Sequence, residues 1–283
     1  MKWSCKGSSF AIGDPPLIMG VLNVTPDSFS DGGAYSSVDA AVSRGLCMVE
    51  EGAVIVDVGG ESTRPGAEEA PRDEEMRRTL PVIDALRQRS DVAISIDTRK
   101  ADVAREAVRA GAGIINDVSA LTHDERMAGV AAESGAGVVL MHMRGRPRTM
   151  QEDPVYEDVV AEVAAYLAGR LEVCRQAGIE WDALAIDPGI GFGKTVGQNL
   201  DLLAGIPALA RLERPVLIGL SRKSFLGRLT GREVDDRVNA GVAAHTCTVL
   251  RGVHIVRTHD VKETRDAIIV AQAMKERMEC WTR

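Results

Sequence analysis

Eleven residues near the middle of the chain, Leu184–Lys194, read LAIDPGIGFGK. An apolar run ends in Asp187, Pro188 stops strand hydrogen bonding, and three alternating glycines allow close approach of a ligand. Asp187 is thus a carboxylate at the tip of a buried strand. A phosphate loop of the form GxxxxGK[ST] is excluded: Gly193-Lys194-Thr195 fits its end, but its first glycine falls on Pro188. The same layout, an apolar run closing on polar groups, recurs along the chain. It supplies Asn23, Asp57, Glu61, Asp97-Thr98-Arg99, Asn116-Asp117, His142, Ser221-Arg222-Lys223-Ser224 and Arg257-Thr258-His259-Asp260. Carboxylates and carboxamides can read the donor-rich edge of a flat nitrogen heterocycle. Lys223 can donate to a ring oxygen or nitrogen, and Arg257 with His259 suits an anionic leaving group. There is no Ser-His-Asp or Cys-His arrangement and no His/Cys metal cluster. A metal here is expected to be a hard cation on oxygen ligands such as Asn23 and a phosphate, the habit of Mg²⁺.

These groups need strands to carry them. Eight apolar runs are present: Leu17–Val24, Val54–Gly60, Ala93–Thr98, Gly113–Val118, Gly137–Met143, Leu184–Pro188, Val216–Ser221 and His254–His259. Continuous Val/Ile-rich runs indicate strands covered on both faces, hence a parallel sheet. Helical patterns fall between them over Val38–Glu51, Asp73–Gln88, Ala101–Ala110, Tyr156–Ala177 and Asp235–Leu250, several followed by a terminating glycine such as Gly52, Gly111, Gly178 or Gly252. Eight strand-then-helix units without a composition break predict α/β architecture, a single-domain (β/α)8 TIM barrel over 1–283. A doubly wound open sheet is the alternative, since pattern alone does not establish closure. In a barrel the C-terminal strand ends share one mouth, so all the polar groups named above would converge.

The 283 residues suit one such barrel, and 45% hydrophobic with 27% charged residues is ordinary for a globular protein. A net charge of −7 argues against general nucleic-acid binding. No apolar stretch reaches membrane-span length, and Lys2 and Lys6 precede no continuous apolar leader segment. The five cysteines are far apart and form no CxxC pair, which fits reduced packing residues of a cytoplasmic protein.

Four long motifs, LNVTPDSFSDGG over Leu22–Gly33, GESTRPG over Gly60–Gly66, DPGIGFGK over Asp187–Lys194 and SRKSFLG over Ser221–Gly227, resemble those of the dihydropteroate synthase family of folate biosynthesis. The resemblance runs in order through nearly the whole chain. It implies a transferase in which the amine of p-aminobenzoate attacks the methylene of 7,8-dihydropterin-6-ylmethyl diphosphate, releasing pyrophosphate and forming 7,8-dihydropteroate. It implies that Asp187, Asn116 and Asp97 bind the pterin and that Lys223 reaches its oxygen and nitrogen. Negative charge on Asp97 would favour the cationic methylene as the leaving group departs. Arg257 would lie over the pterin and, with His259 and Asn23, hold the diphosphate; Asn23 would also be the Mg²⁺ ligand. Asp97, Lys223 and Arg257 are thereby the catalytic candidates. Thr63 and Arg64 would complete the anion and p-aminobenzoate sites from a mobile loop. Phe29, Pro65, Phe192 and Ser224 would frame the p-aminobenzoate ring, and Met143 or its neighbour Met141 would pack softly near the pterin.

The loops at about 24–37 and 60–72 are long and rich in glycine, and could close over a second substrate to exclude water. The resemblance also suggests a homodimer through outer helices, although no apolar stripe in the sequence demands one. Asp57 and Glu61 are read as loop anchors, Asp117 and Asp260 as groups facing the barrel wall, and His142 as a core histidine. Two features depart from the family pattern. Arg144, Arg146 and Arg148 crowd the loop after the fifth strand, as a solvated charge run or an added anion contact. Thr258 replaces an aliphatic residue between Arg257 and His259, where alternation turns it away from the site. A pterin-dependent methyltransferase and a catalytically inactive relative of the synthases remain the alternative functions.

Overall fold

The computed structural model describes residues 1–25, 34–62, 67–145, 150 and 154–281. An antiparallel hairpin, β1 (Lys2–Cys5) and β2 (Ser8–Ala11), comes first. The barrel strands follow as β3 (Leu17–Asn23), β4 (Ile55–Gly59), β5 (Ala93–Asp97), β6 (Ile114–Asp117), β7 (Gly137–Met141), β8 (Leu184–Asp187), β9 (Leu217–Gly219) and β10 (Ile255–Thr258). Helices α1 (Ala34–Glu51), α2 (Arg72–Arg89), α3 (Ala101–Ala110), α4 (Met127–Ser134), α5 (Val159–Gln176), α6 (Val196–Ala204), α7 (Ile206–Leu209), α8 (Ser224–Thr230), α9 (Val238–Leu250) and α10 (Val261–Trp281) alternate with them. All eight barrel strands are parallel, in the order β8-β7-β6-β5-β4-β3-β10-β9. A parallel bridge from Ile186 to Val216 joins the two outer members and closes the ring. The closed barrel therefore replaces the open-sheet alternative. No helix among the described residues is long and apolar enough to cross a membrane.

Strand side chains alternate faces, and the two core clusters separate on that period. Outward residues such as Ile18, Val56, Ile94, Ile115, Leu140, Ile186, Ile218 and Val256 pack into one core with the helices. Inward residues Met19, Ile55, Ala93, Ile114, Val139, Ala185, Leu217 and Ile255 fill the N-terminal end of the barrel. Counting on by two from this layer along the same strands gives Asp57, Ser95, Asn116, Asp187 and Arg257; a further two gives Asn23, Asp97 and His259. The polar groups at the mouth are thus the upper layers of a barrel whose floor is apolar.

The hairpin was not legible in the sequence, because four-residue strands alternate too briefly to stand out. It plugs the barrel floor. Trp3 is fully buried against the inward layer, and its Nε1 donates to the Ala183 carbonyl at 2.9 Å. Close passage of this hairpin requires Gly113 and Gly137: a Cβ on Gly113 would strike the Lys6 carbonyl, and one on Gly137 the Cys5 sulfur. Replacing Trp3 with Ala should leave a cavity under the barrel and lower the unfolding free energy by about 3–5 kcal/mol, read from chemical denaturation followed by circular dichroism.

Candidate active site

Arg257 stands at the centre of the mouth. Its Nε donates to Asp57 Oδ2 at 2.6 Å and its Nη2 to Asp97 Oδ2 at 2.7 Å. Asp57 Oδ2 also accepts from Asn116 Nδ2 at 3.0 Å. Burial works against the guanidinium charge, but Asp57 and Asp97 outweigh it and raise the Arg257 pKa. Burial also pushes Asp97 up, to about 7, against the pull of Arg257 and with the help of neighbouring carboxylates. Asp57 is fully buried, and its Oδ1 has no partner among the described residues. Small residues keep the space open: a Cβ on Gly59 would lie 3.6 Å from the Asp97 Cβ, and one on Gly219 3.6 Å from the Arg257 Cβ.

Across the mouth, Asp187 Oδ1 accepts from the Gly189 amide at 2.7 Å. Burial raises its pKa, opposed by that amide and by Lys223. The Lys223 ammonium lies 4.2 Å from the centroid of the Phe192 ring, a cation–π contact. Burial lowers its pKa to about 8, while Asp187 resists the fall. Phe192 packs with Val118, Met141 and Met150, and half-buried Met143 lies against them, so the apolar wall includes both methionines expected near the ligand. Ser224, the first residue of α8, is exposed beside Lys223.

A third corner gathers Asn23, His259 and Ser221. The Nε2 of His259 lies 3.3 Å from Asn23 Nδ2, and its Nδ1 lies 3.0 Å from Ser221 Oγ. Ser221 in turn donates to Asp260 Oδ2 at 3.0 Å, and Arg222 donates to Asp260 Oδ1 at 2.9 Å. Asp260 therefore anchors this corner from behind, while Asp117 accepts from Ser119 and Leu121 and caps its own turn. Thr258 is buried and bonds Thr264, turned away from the mouth as alternation requires.

Phe29, Thr63, Arg64 and Pro65 lie outside the described residues, as do Arg146 and Arg148. The ends of the 60–72 loop are visible. Glu61 accepts from the Ala70 amide at 3.2 Å and pairs with Arg99 at 2.5 Å and with Lys100, which also reaches Glu75 at 2.8 Å. Arg99 and Lys100 follow Asp97 and Thr98, so the base of this loop is tied to the end of β5.

Residues 19–259 match the family of pterin binding enzymes. The dihydropteroate synthase of Escherichia coli is 46% identical over 273 residues, covering 96% of both chains. The chain belongs to the dihydropteroate synthase family. Among solved structures, Xanthomonas albilineans dihydropteroate synthase with 4-aminobenzoic acid is 48% identical with a TM-score of 0.90, covering 97% of this chain and 98% of that one. The same organism's enzyme in complex with 7,8-dihydropteroate is 46% identical with a TM-score of 0.88, covering 97% and 99%.

Within this synthase fold, two residues matter more than their sequence context suggested. Asp57, expected to anchor a loop, instead holds Arg257 and Asn116 inside the barrel. Its signal was its register, two positions past inward Ile55. Lys194 looked like the tail of a glycine loop, yet it is 2% exposed, and burial lowers its pKa to about 7. His142, 6% exposed, bonds it through Nδ1 and is itself held down at about 3 by burial and by that ammonium. An unfolded lysine keeps its proton to about 10.5, so between about pH 7 and 10.5 the unfolded chain binds more protons than the folded one. Lys194 should therefore make the protein gain stability as pH rises through that window. In a Lys194→Met variant this share of the rise should vanish in denaturation curves taken at pH 7 and pH 9.

Proposed function

We propose that this protein condenses 7,8-dihydropterin-6-ylmethyl diphosphate with p-aminobenzoate, releasing pyrophosphate and forming 7,8-dihydropteroate. The observation that carries the reading is the convergence of Asp97, Asn116, Asp187, Lys223 and Arg257 on one barrel mouth, beside an apolar wall. Asp187 keeps one carboxylate oxygen on the Gly189 amide and offers the other to adjacent N–H groups of the pterin's pyrimidine edge. Asn116 and Asp97 bind the remaining ring nitrogens. Lys223 donates to the ring oxygen and nitrogen, giving hydrogen-bond acceptors to an ammonium that stands over the Phe192 ring and near Asp187. Arg257 lies over the pterin face.

The p-aminobenzoate ring stacks in the region of Phe192 and Ser224, with Phe29, Pro65, Thr63 and Arg64 supplied by the first two loops. Its amine lone pair forms the new C–N bond as the C–O bond to diphosphate breaks and its electron pair leaves with pyrophosphate. The amine's surplus proton is then lost. Positive charge on the methylene is greatest as that bond opens. Asp97, pushed up to about 7, gains its negative charge beside Arg257 and Asp57 as pH rises through that value, and in its carboxylate form it gives the cation a preorganised negative partner. Arg257, His259 and Asn23 hold the departing anion.

Mg²⁺ fits this corner. Asn23 turns its amide nitrogen to His259, which leaves its oxygen, a hard donor, for a cation shared with substrate phosphate. No cluster of three or more His, Cys, Asp or Glu among the described residues offers an all-protein cage. When bound, Mg²⁺ neutralises the leaving pyrophosphate. We read residues 1–283 as one cytoplasmic barrel domain that forms a homodimer through its outer helices. Supporting that reading, α10 exposes Ile269, Val270, Met274 and Met278, an apolar face that the sequence pattern did not reveal.

Pyrophosphate release should require both organic substrates and Mg²⁺, and the product should be dihydropteroate. Binding of methyltetrahydrofolate without turnover of p-aminobenzoate would move the reading to a methyltransferase, and pterin binding without any turnover to an inactive relative. Lys223→Ala should cut kcat/KM by about 100-fold or more with the circular dichroism spectrum unchanged. Pterin affinity should fall as pH rises above about 8, where Lys223 loses its proton. The Lys223→Ala variant should lack that limb of the titration.

A further inference from the structure

We infer that Lys194 is a positioning residue of the substrate pocket, acting through the loop between β8 and α6. Among the described residues, its ammonium hydrogen-bonds no side chain assigned to the pterin or the anion. It lies inside the loop instead. The ammonium donates to the Gly189 carbonyl at 2.9 Å, the Phe192 carbonyl at 2.9 Å and His142 Nδ1 at 3.0 Å, with the His142 carbonyl at 3.4 Å. Among the described residues no carboxylate hydrogen-bonds it. A buried lysine without an ion pair is expensive to maintain, and here it serves to draw backbone oxygens from two loops to one point.

Each held carbonyl belongs to a peptide that bears on the site. The Gly189 amide grips Asp187 Oδ1 on one side while Lys194 grips the Gly189 carbonyl on the other, which sets the direction of the Asp187 carboxylate. The Phe192 carbonyl is fixed by Lys194 while its amide bonds the Gly189 carbonyl at 3.1 Å, which sets the ring under the Lys223 ammonium. His142 ties this loop to the end of β7, where its amide donates to the Asp187 carbonyl at 2.9 Å. While Lys194 is protonated, His142 Nδ1 is the acceptor of this contact and the neutral ring carries its proton on Nε2. Glycine is required where the two loops meet: a Cβ on Gly189 would collide with the His142 carbonyl, and one on Gly193 would lie 2.6 Å from the Arg144 carbonyl.

This inference rests on the synthase reading for what Phe192 contacts. Its test is a double-mutant cycle between Lys194→Gln and Phe192→Leu, with Lys194→Met as a second replacement that keeps volume but no donor. Lys194→Gln should fold, raise the KM for p-aminobenzoate about tenfold and change kcat much less. In the Phe192→Leu background the same change should move that KM by less than about twofold, since the ring it positions is gone. Multiplicative effects would overturn the inference, as would unchanged KM values. Failure of both Lys194 variants to fold would overturn it too, because the ammonium would then hold the barrel rather than the pocket. Wild-type protein that binds both ligands but releases no pyrophosphate would refute the synthase reading alone, because the cycle can still be read from p-aminobenzoate titrations.

Discussion

A buried arginine gripped by two carboxylates sets the terms for the rest of this barrel. Arg257 rises from the eighth barrel strand, Asp57 from the second and Asp97 from the third, and all three meet inside the mouth. Removed from water, each charge is costly alone, and the geometry of the three strands makes them mutually sufficient. The charge balance turns on Asp97, whose pKa burial pushes up to about 7, so its carboxylate is fully charged only above that pH. Asn116 shares the Asp57 oxygen that binds Arg257, so one atom positions both the amide and the guanidinium.

The same logic runs around the mouth. Lys223 keeps its ammonium over a ring face and near Asp187, at a reduced pKa that leaves it ready to gain a partner. Lys194 is spent on backbone carbonyls rather than on a ligand. His259 is backed by Ser221, and Ser221 by Asp260. Polar groups facing the cavity are therefore held from behind by other polar groups, which lets them keep fixed directions without closing off the side that a substrate uses. Below them the barrel is apolar, floored by the inward layer and sealed by Trp3. An apolar floor lowers the local dielectric and strengthens the electrostatic contacts above it.

Much of the architecture was legible along the chain because its signals are local. Each barrel strand is a continuous apolar run, since helices cover one face and the barrel interior the other, and each run stops at its polar end. That pattern placed Asn23, Asp97, Asn116, Asp187, Lys223, Arg257 and His259 at strand ends without any knowledge of closure. The motif chemistry of the glycine loops did the rest. The hairpin escaped notice because its strands are four residues long. Asp57 was misjudged because its role depends on Arg257, two hundred residues away.

By itself, then, the sequence determined the eight strand–helix units, the family and the residue types at the mouth, because periodicity, turn chemistry and motif spacing are properties of neighbouring residues. Only the tertiary structure decided which of those residues are held and which do the holding. Strand register turned Asp57 inward onto Arg257 and Asn116, brought Lys194 beneath the loop that carries Phe192, and let the N-terminal hairpin seal the floor. These are contacts between distant segments, and they exist only once the ring of strands has closed and burial has made an unpaired charge costly.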